Sequence, residues 1–577
     1  MTPVEDGRTP PTRPTTGSAT TASATTRADR PVLPGQARGE ADRTGSPMTT
    51  PDPGSARDRG DLDPEQPTPA PTSQEPGISA TGDAPSTSAA PTAAAPDATS
   101  GQPLPGGPTA APAAPGLGRL FGRDLLYVVI WSFQLLSSVL ISPVLARILG
   151  PAEFGLLATA IAVYQILIVL AVIGFDRAIS LQRAEDGDDH AARKLLTVGA
   201  LLSVAVAVLV GLTGWVWSPA IGFDGYSELA FVVVLWTAPG AVVMMVLAML
   251  MAADRMPAFA AVSILSSVGG PVVGIVLLLA GERNATTYAW GGVICQGAAM
   301  IVGLLLARPA LRGAFDRVLL GRALQVGIPV AISGLTLFVL NASDRIVIQR
   351  MLGSVEVGRY QVAYTVGYVV VLLLGSVSQA WTPRIAAVRD EQQRWDLIGR
   401  SRDELYLLLA PMVLGVTLVA PIGLRIVAPA DYDLEPLLLV VFLVAVSAFP
   451  VAAAGASQRA LLTGRRTRPL AWAGLLAAAS NIALNIALIP FWGITGSAVA
   501  TVLAFALQGL LQRLLLPRTA RWPRAPRQVP VLIGVAVVIA AGSVLIPQTL
   551  TWNLVRAAAA LACAPWFLLR LRASRKA

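Results

Sequence analysis

Long apolar runs alternate with short polar segments along most of the chain from residue 120 onward. Two examples are LLYVVIWSFQLLSSVLISPVLA (125–146) and PVLIGVAVVIAAGSVLIP (530–547). Runs of about twenty residues match the hydrocarbon thickness of a bilayer, because an α-helix rises about 1.5 Å per residue. The pattern predicts about fourteen transmembrane helices, centred near residues 135, 164, 206, 240, 270, 297, 333, 368, 415, 446, 480, 504, 538 and 560.

Composition supports this interpretation. Of the 577 residues, 54% are hydrophobic and only 14% are charged, whereas soluble domains carry about 25% charged residues. We therefore predict an all-α polytopic membrane protein. The net charge of +9 does not indicate a nucleic-acid partner, because the basic residues lie between the apolar runs. Two cysteines and one histidine predict neither a disulfide framework nor a metal site.

The first 118 residues differ from the rest because they are rich in Pro, Thr, Ala, Ser and Gly. Such a segment cannot bury enough apolar surface to offset its ordering entropy, so we expect a disordered tail. Met48 offers an alternative start, and the tail is assigned no chemistry.

The positive-inside rule orients the predicted helices. Sorting Arg and Lys into alternate connections places 29 on the side of residues 119–123 and of the C-terminus, against six on the opposite side. Both termini are therefore expected in the cytoplasm, in a multi-pass protein of the cytoplasmic membrane. The predicted connections are too short to hold a soluble catalytic domain, so we do not expect an enzyme.

A short motif occurs twice, as VLARILGPAEFG (144–155) and VIQRMLGSVEVG (347–358). Six identical residues align at a constant offset of 203 without a gap, and six predicted helices separate the copies. This predicts two parallel six-helix bundles related by an axis along the membrane normal, with the substrate path between them. The expected divisions are a cytoplasmic tail (1–118), an N-terminal lobe (119–310), a C-terminal lobe (311–516), and an extra helix pair with a basic tail (517–577).

Three segments resemble the Wzx-type polysaccharide flippases of the MATE-like superfamily. They are LARILGPAEFG (145–155), which resembles the first helix and turn, GIPVAISGLTLFVLNASDRIVIQRMLGSVEVGRY (327–360) and SNIALNIALIPFWGITGSAVATVLA (480–504). The matching residues are Gly327, Pro329, Ser333, Asp344, Arg345, Gly353, Gly358, Tyr360, Asn481, Asn485, Pro490, Gly493 and Gly496. The resemblance covers residues 119–516. That family usually has twelve helices, and fourteen is closer to the MurJ-type lipid II flippases, where the extra pair lies beside the lipid tail.

The resemblance implies that the chain moves a lipid-linked oligosaccharide, of the undecaprenyl-pyrophosphate type, from the inner to the outer leaflet by alternating access. A MurJ-type lipid II flippase, a MATE-type drug or cation antiporter, a membrane polymerase or ligase, and a scaffold acting through the tail are the alternatives. The expected partners are the lipid-linked glycan and membrane lipid, with the polysaccharide polymerase and export machinery left open. No cofactor is expected, and coupling to an ion gradient or to the membrane potential is also left open.

A dianionic, sugar-bearing lipid needs fixed positive charge and polar or aromatic contacts, and arginine suits phosphate because of its planar fork of donors. Arg345 is the strongest candidate because it lies within the apolar part of the seventh helix, where a charge needs a partner or a water-filled cavity. Asp344 is adjacent to it. Neighbouring helical residues do not face each other, so each is expected to pair elsewhere. Asp344 could alternatively carry a coupling proton or cation.

Other candidates for the cavity follow from spacing and from the repeat. Tyr360, Tyr364 and Tyr368 recur every four residues and predict one aromatic face that could stack on sugars or form an interface belt. Gln165 is the first-half equivalent of Tyr368. Three arginines near the motif, Arg147, Arg350 and Arg359, complete the set of cavity candidates. Two prolines that interrupt the first and seventh spans, Pro143 and Pro329, are candidate hinges.

Overall fold

The computed structural model describes the backbone of residues 123–576, except residues 185, 465 and 518–521, and most side chains from residue 140 onward. These residues form helices and connecting turns, and no β-strand occurs among them. The predicted all-α class is confirmed. The tail of residues 1–118 lies outside the described residues, so its disorder stays a prediction.

The described part of the first half contains eight α-helices, with a π-helical turn at Leu265–Gly269 between the sixth and seventh. They are α1 (Arg123–Val172), α2 (Phe175–Ala184), α3 (Asp189–Leu212), α4 (Gly214–Ile221), α5 (Glu228–Ala252), α6 (Met256–Ile264), α7 (Gly270–Ala280) and α8 (Ala285–Ala307).

The described part of the second half contains nine α-helices and a short 3₁₀ turn at Ala430–Tyr432. They are α9 (Arg317–Leu352), α10 (Ser354–Gly367), α11 (Val369–Ala387), α12 (Glu391–Val427), α13 (Leu437–Val446), α14 (Ala448–Thr463), α15 (Thr467–Leu514), α16 (Gln528–Val544) and α17 (Leu550–Lys576).

Among the described residues, ten helices are long and apolar enough to cross a membrane, or eleven when the bent pair α10–α11 counts as one span. Thirteen of the fourteen predicted centres fall in helices, and the centre at 368 lies at the bend between α10 and α11. Helices α1 and α15 each contain two centres. Each of these helices is broken by a glycine in a non-helical conformation, Gly150 in α1 and Gly493 in α15. Helix α16, with 17 residues, carries another centre. The exact number of fourteen crossings stays a prediction.

The two motif copies share one backbone conformation as well as one sequence pattern. Gly150 has φ 71° and ψ 174°, and its counterpart Gly353 has φ 89° and ψ 176°. This region of φ favours glycine because a Cβ atom would clash there. Each glycine turns the chain between two helical segments, so the repeat is a structural repeat.

The end of the bundle that holds both motif copies and residues 425–433 is called the motif end below. There, one buried hydrophobic cluster joins the two halves of the chain, with Leu145 and Phe154 from the first half and Val357 and Leu424 from the second. Helix α10 packs against α1, and α9 packs against both α1 and α2. The two halves therefore share a core at the motif end.

The opposite end, which carries most of the arginines and is called the basic end below, has a second close contact between the halves. A Cβ atom on Gly174 would lie 2.2 Å from the carbonyl oxygen of Gly327. Backbone therefore meets backbone where the turn after α1 passes α9. Near this contact, the first turns of α9 add Ala323 to the core of the first half.

Helices α16 and α17 pack against α12. Arg556 of α17, which belongs to neither charge count of the positive-inside analysis, is buried and donates to the carbonyl oxygens of Ser543 and Ile546. Those carbonyls lie at the end of α16, where helical carbonyls lack intrahelical partners. Arg556 therefore closes the extra pair into a hairpin.

Candidate substrate-binding site

A cavity of about 680 Å³ lies between the two halves, next to the core at the motif end. Its walls come from α1, α5, the π-helical turn, α7 and α8 of the first half, and from α9, α10 and α11 of the second. Among the described residues that line it, Arg345 is the only charged one. Of the sequence candidates, Gln165, Arg345, Tyr364 and Tyr368 line the cavity.

Arg345 is held by neutral partners on three sides. Its Nε donates to Oε1 of Gln361 at 3.1 Å, and Nη1 donates to the carbonyl oxygen of Asn341. Its guanidinium carbon lies 4.0 Å from the ring centroid of Tyr364, which is within the range of a cation–π contact. The charge is therefore fixed in orientation, with one face toward the cavity.

Asp344 and Arg345 pair with each other, so the expectation that each would pair elsewhere was wrong. The Arg345 Nη1 atom lies 2.7 Å from Oδ1 of Asp344. The long arginine side chain folds back over its own helix and reaches the neighbouring carboxylate, which Cβ directions alone did not predict. The second carboxylate oxygen of Asp344 accepts from the Tyr360 hydroxyl at 2.6 Å. Asp344 is 1% exposed and lies behind Arg345 rather than at the cavity surface.

The three tyrosines share one face, as the spacing predicts. Tyr360 and Tyr364 contact Arg345. Tyr360 is fully buried and does not line the cavity. Tyr364 stacks on Tyr368 with centroids 4.8 Å apart, and the Tyr368 hydroxyl meets Oδ1 of Asn341 at 3.4 Å. We call Tyr360, Tyr364 and Tyr368 the tyrosine ladder. The ladder supports Arg345, and the rings of the ladder are largely occupied by neighbours within the protein.

Several cavity residues were missed by sequence reasoning. The wall formed by the first half contains Tyr164, Trp236 and Tyr288, from α1, α5 and α8. No shared spacing connects these positions, because they come together only when the helices pack. Asn341 and Gln361 carry a weak signal, since Asn341 is four residues before Arg345 and Gln361 follows Tyr360.

Arg147 lies outside the cavity, at the motif end. It is exposed, and its guanidinium donates to the carbonyl oxygens of Arg425, Ile426 and Val427. These are the last carbonyls of α12, which attract a cation because they lack helical partners. Arg147, which the sequence suggested for substrate contact, therefore joins the two halves of the chain.

Arg350 and Arg359 also lie away from the cavity lining. Arg350 is exposed, and its Cα would be 3.2 Å from a Cβ atom on Gly222. Arg359 forms ion pairs with Glu356 and with Asp433, each with a 2.7 Å N–O distance. Neither arginine lines the cavity in this structure, so a role for them in substrate binding stays a prediction.

The proline candidates lie in continuous helix. Both α1 and α9 continue through Pro143 and Pro329, and the non-helical residue in α1 is Gly150. A hinge role for the prolines stays a prediction. The two asparagines make structural contacts. Ser343 donates to Oδ1 of Asn481 at 3.1 Å, which joins α9 to α15, and Asn485 donates to the Asn481 carbonyl at 2.9 Å within α15.

The fold resembles that of solved multi-pass membrane proteins. The lipid II flippase MurJ in its inward closed conformation superimposes with a TM-score of 0.59 at 13% identity, covering 78% of this chain and 99% of that chain. An inward-facing multidrug resistance MATE family transporter of the MOP superfamily gives a TM-score of 0.55 at 14% identity, covering 72% of this chain and 99% of that chain. At these identities the likeness shows the fold alone.

The family follows from the sequence comparison. A family model described as "Polysaccharide biosynthesis protein" matches residues 144–433, half of the chain, so the chain belongs to that family. No curated protein sequence matches it at a significant level. The predicted MATE-like fold is confirmed.

Proposed function

We propose that this protein flips a lipid-linked glycan of the undecaprenyl-pyrophosphate type from the inner to the outer leaflet of the cytoplasmic membrane. Membership of the polysaccharide biosynthesis family supports a glycan substrate. The fold shared with a lipid II flippase and a multidrug transporter supports transport rather than catalysis. The predicted lobes at 119–310 and 311–516 would alternate in exposing the cavity between them.

The observation that carries the proposal is Arg345, the single charged residue among the described residues lining the cavity. A pyrophosphate entering the cavity meets a guanidinium whose orientation is set by Gln361, Asn341 and Tyr364. Arginine keeps its charge when partly dehydrated and offers a fork of donors that matches phosphate oxygens. Arg345 would therefore bind the pyrophosphate, which is the negatively charged part of the headgroup.

The same geometry disfavours a cation antiporter. Such a transporter needs a carboxylate that a cationic substrate can reach, and the Asp344 side chain is 1% exposed and pairs with Arg345 and Tyr360. A cation in the cavity would meet the positive guanidinium first. Transport of a lipid II-type substrate remains compatible with the site, since that lipid also carries a pyrophosphate and sugars.

The arginine asymmetry supports placing the motif end outside and the basic end in the cytoplasm. Both termini would then be cytoplasmic. Contacts between the halves, such as those of Arg147 with the end of α12, close the motif end in this structure. The structure would therefore represent a state closed toward the outside.

A second, apolar groove of about 350 Å³ supports a route for the lipid tail. It lies between α11, α12 and α17 and is lined by nine apolar residues, including Leu374, Leu409 and Phe567. Leu372 lines the central cavity and Leu373 lines the groove, so α11 separates the two. The polyprenyl chain would lie along this groove while the headgroup occupies the cavity.

The test is deletion of the gene followed by measurement of lipid-linked glycan on each leaflet. We expect the glycan to accumulate on the inner leaflet and the surface polymer to disappear. Complementation with the wild type should restore export, whereas Arg345→Ala, inserted in the membrane at equal amount, should not. An intact surface polymer with no inner accumulation in the deletion strain would refute the proposal.

A further inference from the structure

The ladder of Tyr360, Tyr364 and Tyr368 is largely engaged in contacts within the protein. Arg345 covers the ring of Tyr364 at 4.0 Å, and Tyr368 stacks on the same residue. Tyr360 is fully buried and donates to Asp344. Tyr364 therefore has both a guanidinium and a second ring against it, and Tyr360 does not line the cavity, so these two rings offer little open face to a glycan.

The wall formed by the first half of the chain has a different composition. Tyr164 and Trp236 stack with centroids 4.2 Å apart and an interplanar angle of 25°, and Tyr288 lines the cavity beside them. The remaining polar lining residues of the first half are neutral, namely Ser142, Gln165, Ser266 and Ser267. We call Tyr164, Trp236 and Tyr288 the aromatic wall.

Glycines on neighbouring helices make room for each ring of the aromatic wall. A Cβ atom on Gly292 would lie 2.2 Å from the indole of Trp236, and one on Gly240 would lie 2.4 Å from the Tyr164 hydroxyl. A Cβ atom on Gly274 would lie 2.6 Å from the Tyr288 ring. Each ring thus packs against a glycine on a neighbouring helix, and this packing holds the aromatic wall in place at the edge of the cavity.

A π-helical turn lies in the same wall. Residues Leu265–Gly269 form this turn, and two of its serines, Ser266 and Ser267, line the cavity. Single π-helical turns within α-helices are uncommon and are frequent at functional sites. The turn places hydroxyl groups beside aromatic rings, a combination that suits a ligand with both C–H faces and hydroxyls.

We propose that the aromatic wall binds a neutral pyranose, the sugar nearest the pyrophosphate, while Arg345 binds the phosphate from the wall formed by the second half of the chain. This inference rests on the proposed function and adds the substrate class. The C–H face of a pyranose stacks on flat aromatic rings, and serine and glutamine side chains can bond its hydroxyls. An acidic sugar has no cationic partner on this wall among the described residues. A cavity of about 680 Å³ matches sites for drug-sized ligands, so it holds a headgroup with a few sugars.

The experiment measures binding of two probes to the full chain in nanodiscs. One probe is undecaprenyl pyrophosphate, and the other is the same carrier bearing one N-acetylhexosamine. Trp236→Leu, which keeps apolar volume but removes the flat ring, should weaken the sugar-bearing probe about fivefold and leave the sugar-free probe unchanged. Tyr288→Leu, in a different helix, should also weaken binding of the sugar-bearing probe and leave the sugar-free probe unchanged. It replaces Trp236→Leu in the experiment if that variant fails to fold.

The control is Trp290→Leu, the same substitution in α8 at a tryptophan outside the cavity lining, which donates to Glu228. It should change neither probe. Arg345→Ala should weaken both probes, which separates the two proposals. If the wall variants leave the sugar-bearing probe unchanged, or weaken both probes equally, the aromatic wall is not the sugar site and the proposed function survives. If the wild type binds neither probe, the proposed function fails, and this inference fails with it.

Discussion

Gly155 and Gly358, equivalent positions of the two motif copies, pack backbone to backbone across the halves of the protein. A Cβ atom on Gly155 would lie 1.8 Å from the carbonyl oxygen of Ser354, and one on Gly358 would lie 2.1 Å from that of Pro151. Ser354 and Pro151 are themselves equivalent at the offset of 203. Reciprocal contacts of this kind are what a two-fold relationship between two similar units produces.

We expect Gly358→Ala to separate the lobes at the motif end. The new methyl group would collide with the backbone of Pro151, and overpacking of this kind costs about 1–3 kcal/mol, so the open population should rise about tenfold. Spin labels at Trp215→Cys and Ile426→Cys, after replacing Cys295 and Cys563, report the distance between the halves. Those two label positions are well exposed, at 73% and 60%.

Gly297→Ala provides the matched control for that substitution. It lies in α8, and nothing lies within 4 Å of the position that the added methyl group would occupy, so the label distance should not change. An unchanged distance in Gly358→Ala as well would mean that the glycine contact does not limit opening.

The helices and the repeat could be predicted from the sequence because they depend on local information. Apolar runs of membrane length specify helices directly, and the identical residues of the two motif copies, such as Gly150 and Gly353, adopt the same backbone conformation. Arg345 was found because a charge within an apolar helix is costly and needs a polar environment. These inferences required no knowledge of how distant segments pack.

The rest of the site depends on contacts between distant segments. Arg147 meets the end of α12 across 278 to 280 residues of sequence, and no local pattern indicates that partner. The aromatic wall needs glycines on neighbouring helices, so neither rings nor glycines alone identify it. The pair formed by Asp344 and Arg345 depends on a rotamer that helical spacing does not specify.

Arg147→Ala should weaken closure of the motif end. The guanidinium bonds the last carbonyls of α12, and a cation at an exposed helix C-terminus contributes about 0.3–1 kcal/mol. The ratio of molecules closed at the motif end to molecules open there should therefore fall up to about fivefold, as measured with the same pair of spin labels. The Tyr432 hydroxyl, which donates to the Ala146 carbonyl at 2.9 Å, should keep the change partial. Burial raises the pKa of Tyr432, so this bond should persist at alkaline pH.

Arg350→Ala serves as the control for Arg147, because Arg350 is its repeat equivalent and is exposed. It should leave the label distance unchanged. Equal effects of the two substitutions would show that general charge at the motif end matters, and not the contact with α12.

The pair of Asp344 and Arg345 should show strong coupling in a double-mutant cycle. Removing Asp344 alone leaves a buried guanidinium without its counter-charge, which costs about 3–5 kcal/mol, whereas removing both charges costs less. Thermal unfolding of Asp344→Ala, Arg345→Ala and the double variant in detergent should give a coupling of about 1–3 kcal/mol.

The exposed pair of Arg359 and Asp433 gives the comparison for that cycle. The Asp433 side chain is 66% exposed, so solvent screens the pair and its coupling should stay below about 1 kcal/mol. Coupling of similar size in the two cycles would contradict a special role for burial at Asp344.

Export should depend on the shape of the Arg345 side chain as well as on its charge. Arg345→Lys keeps the charge but loses the bond from Nε to Gln361 and the flat contact with the Tyr364 ring. An ammonium binds phosphate as a point charge without the bidentate fork, so we expect the rate of export to fall about tenfold or more, equivalent to about 1.4 kcal/mol. Surface glycan and inner-leaflet glycan are measured at equal protein levels. Tyr364→Phe retains the ring and should export normally, whereas Tyr364→Leu should resemble Arg345→Lys. Full export by Arg345→Lys would show that any positive charge suffices and that the ladder beneath it has no part in binding the phosphate.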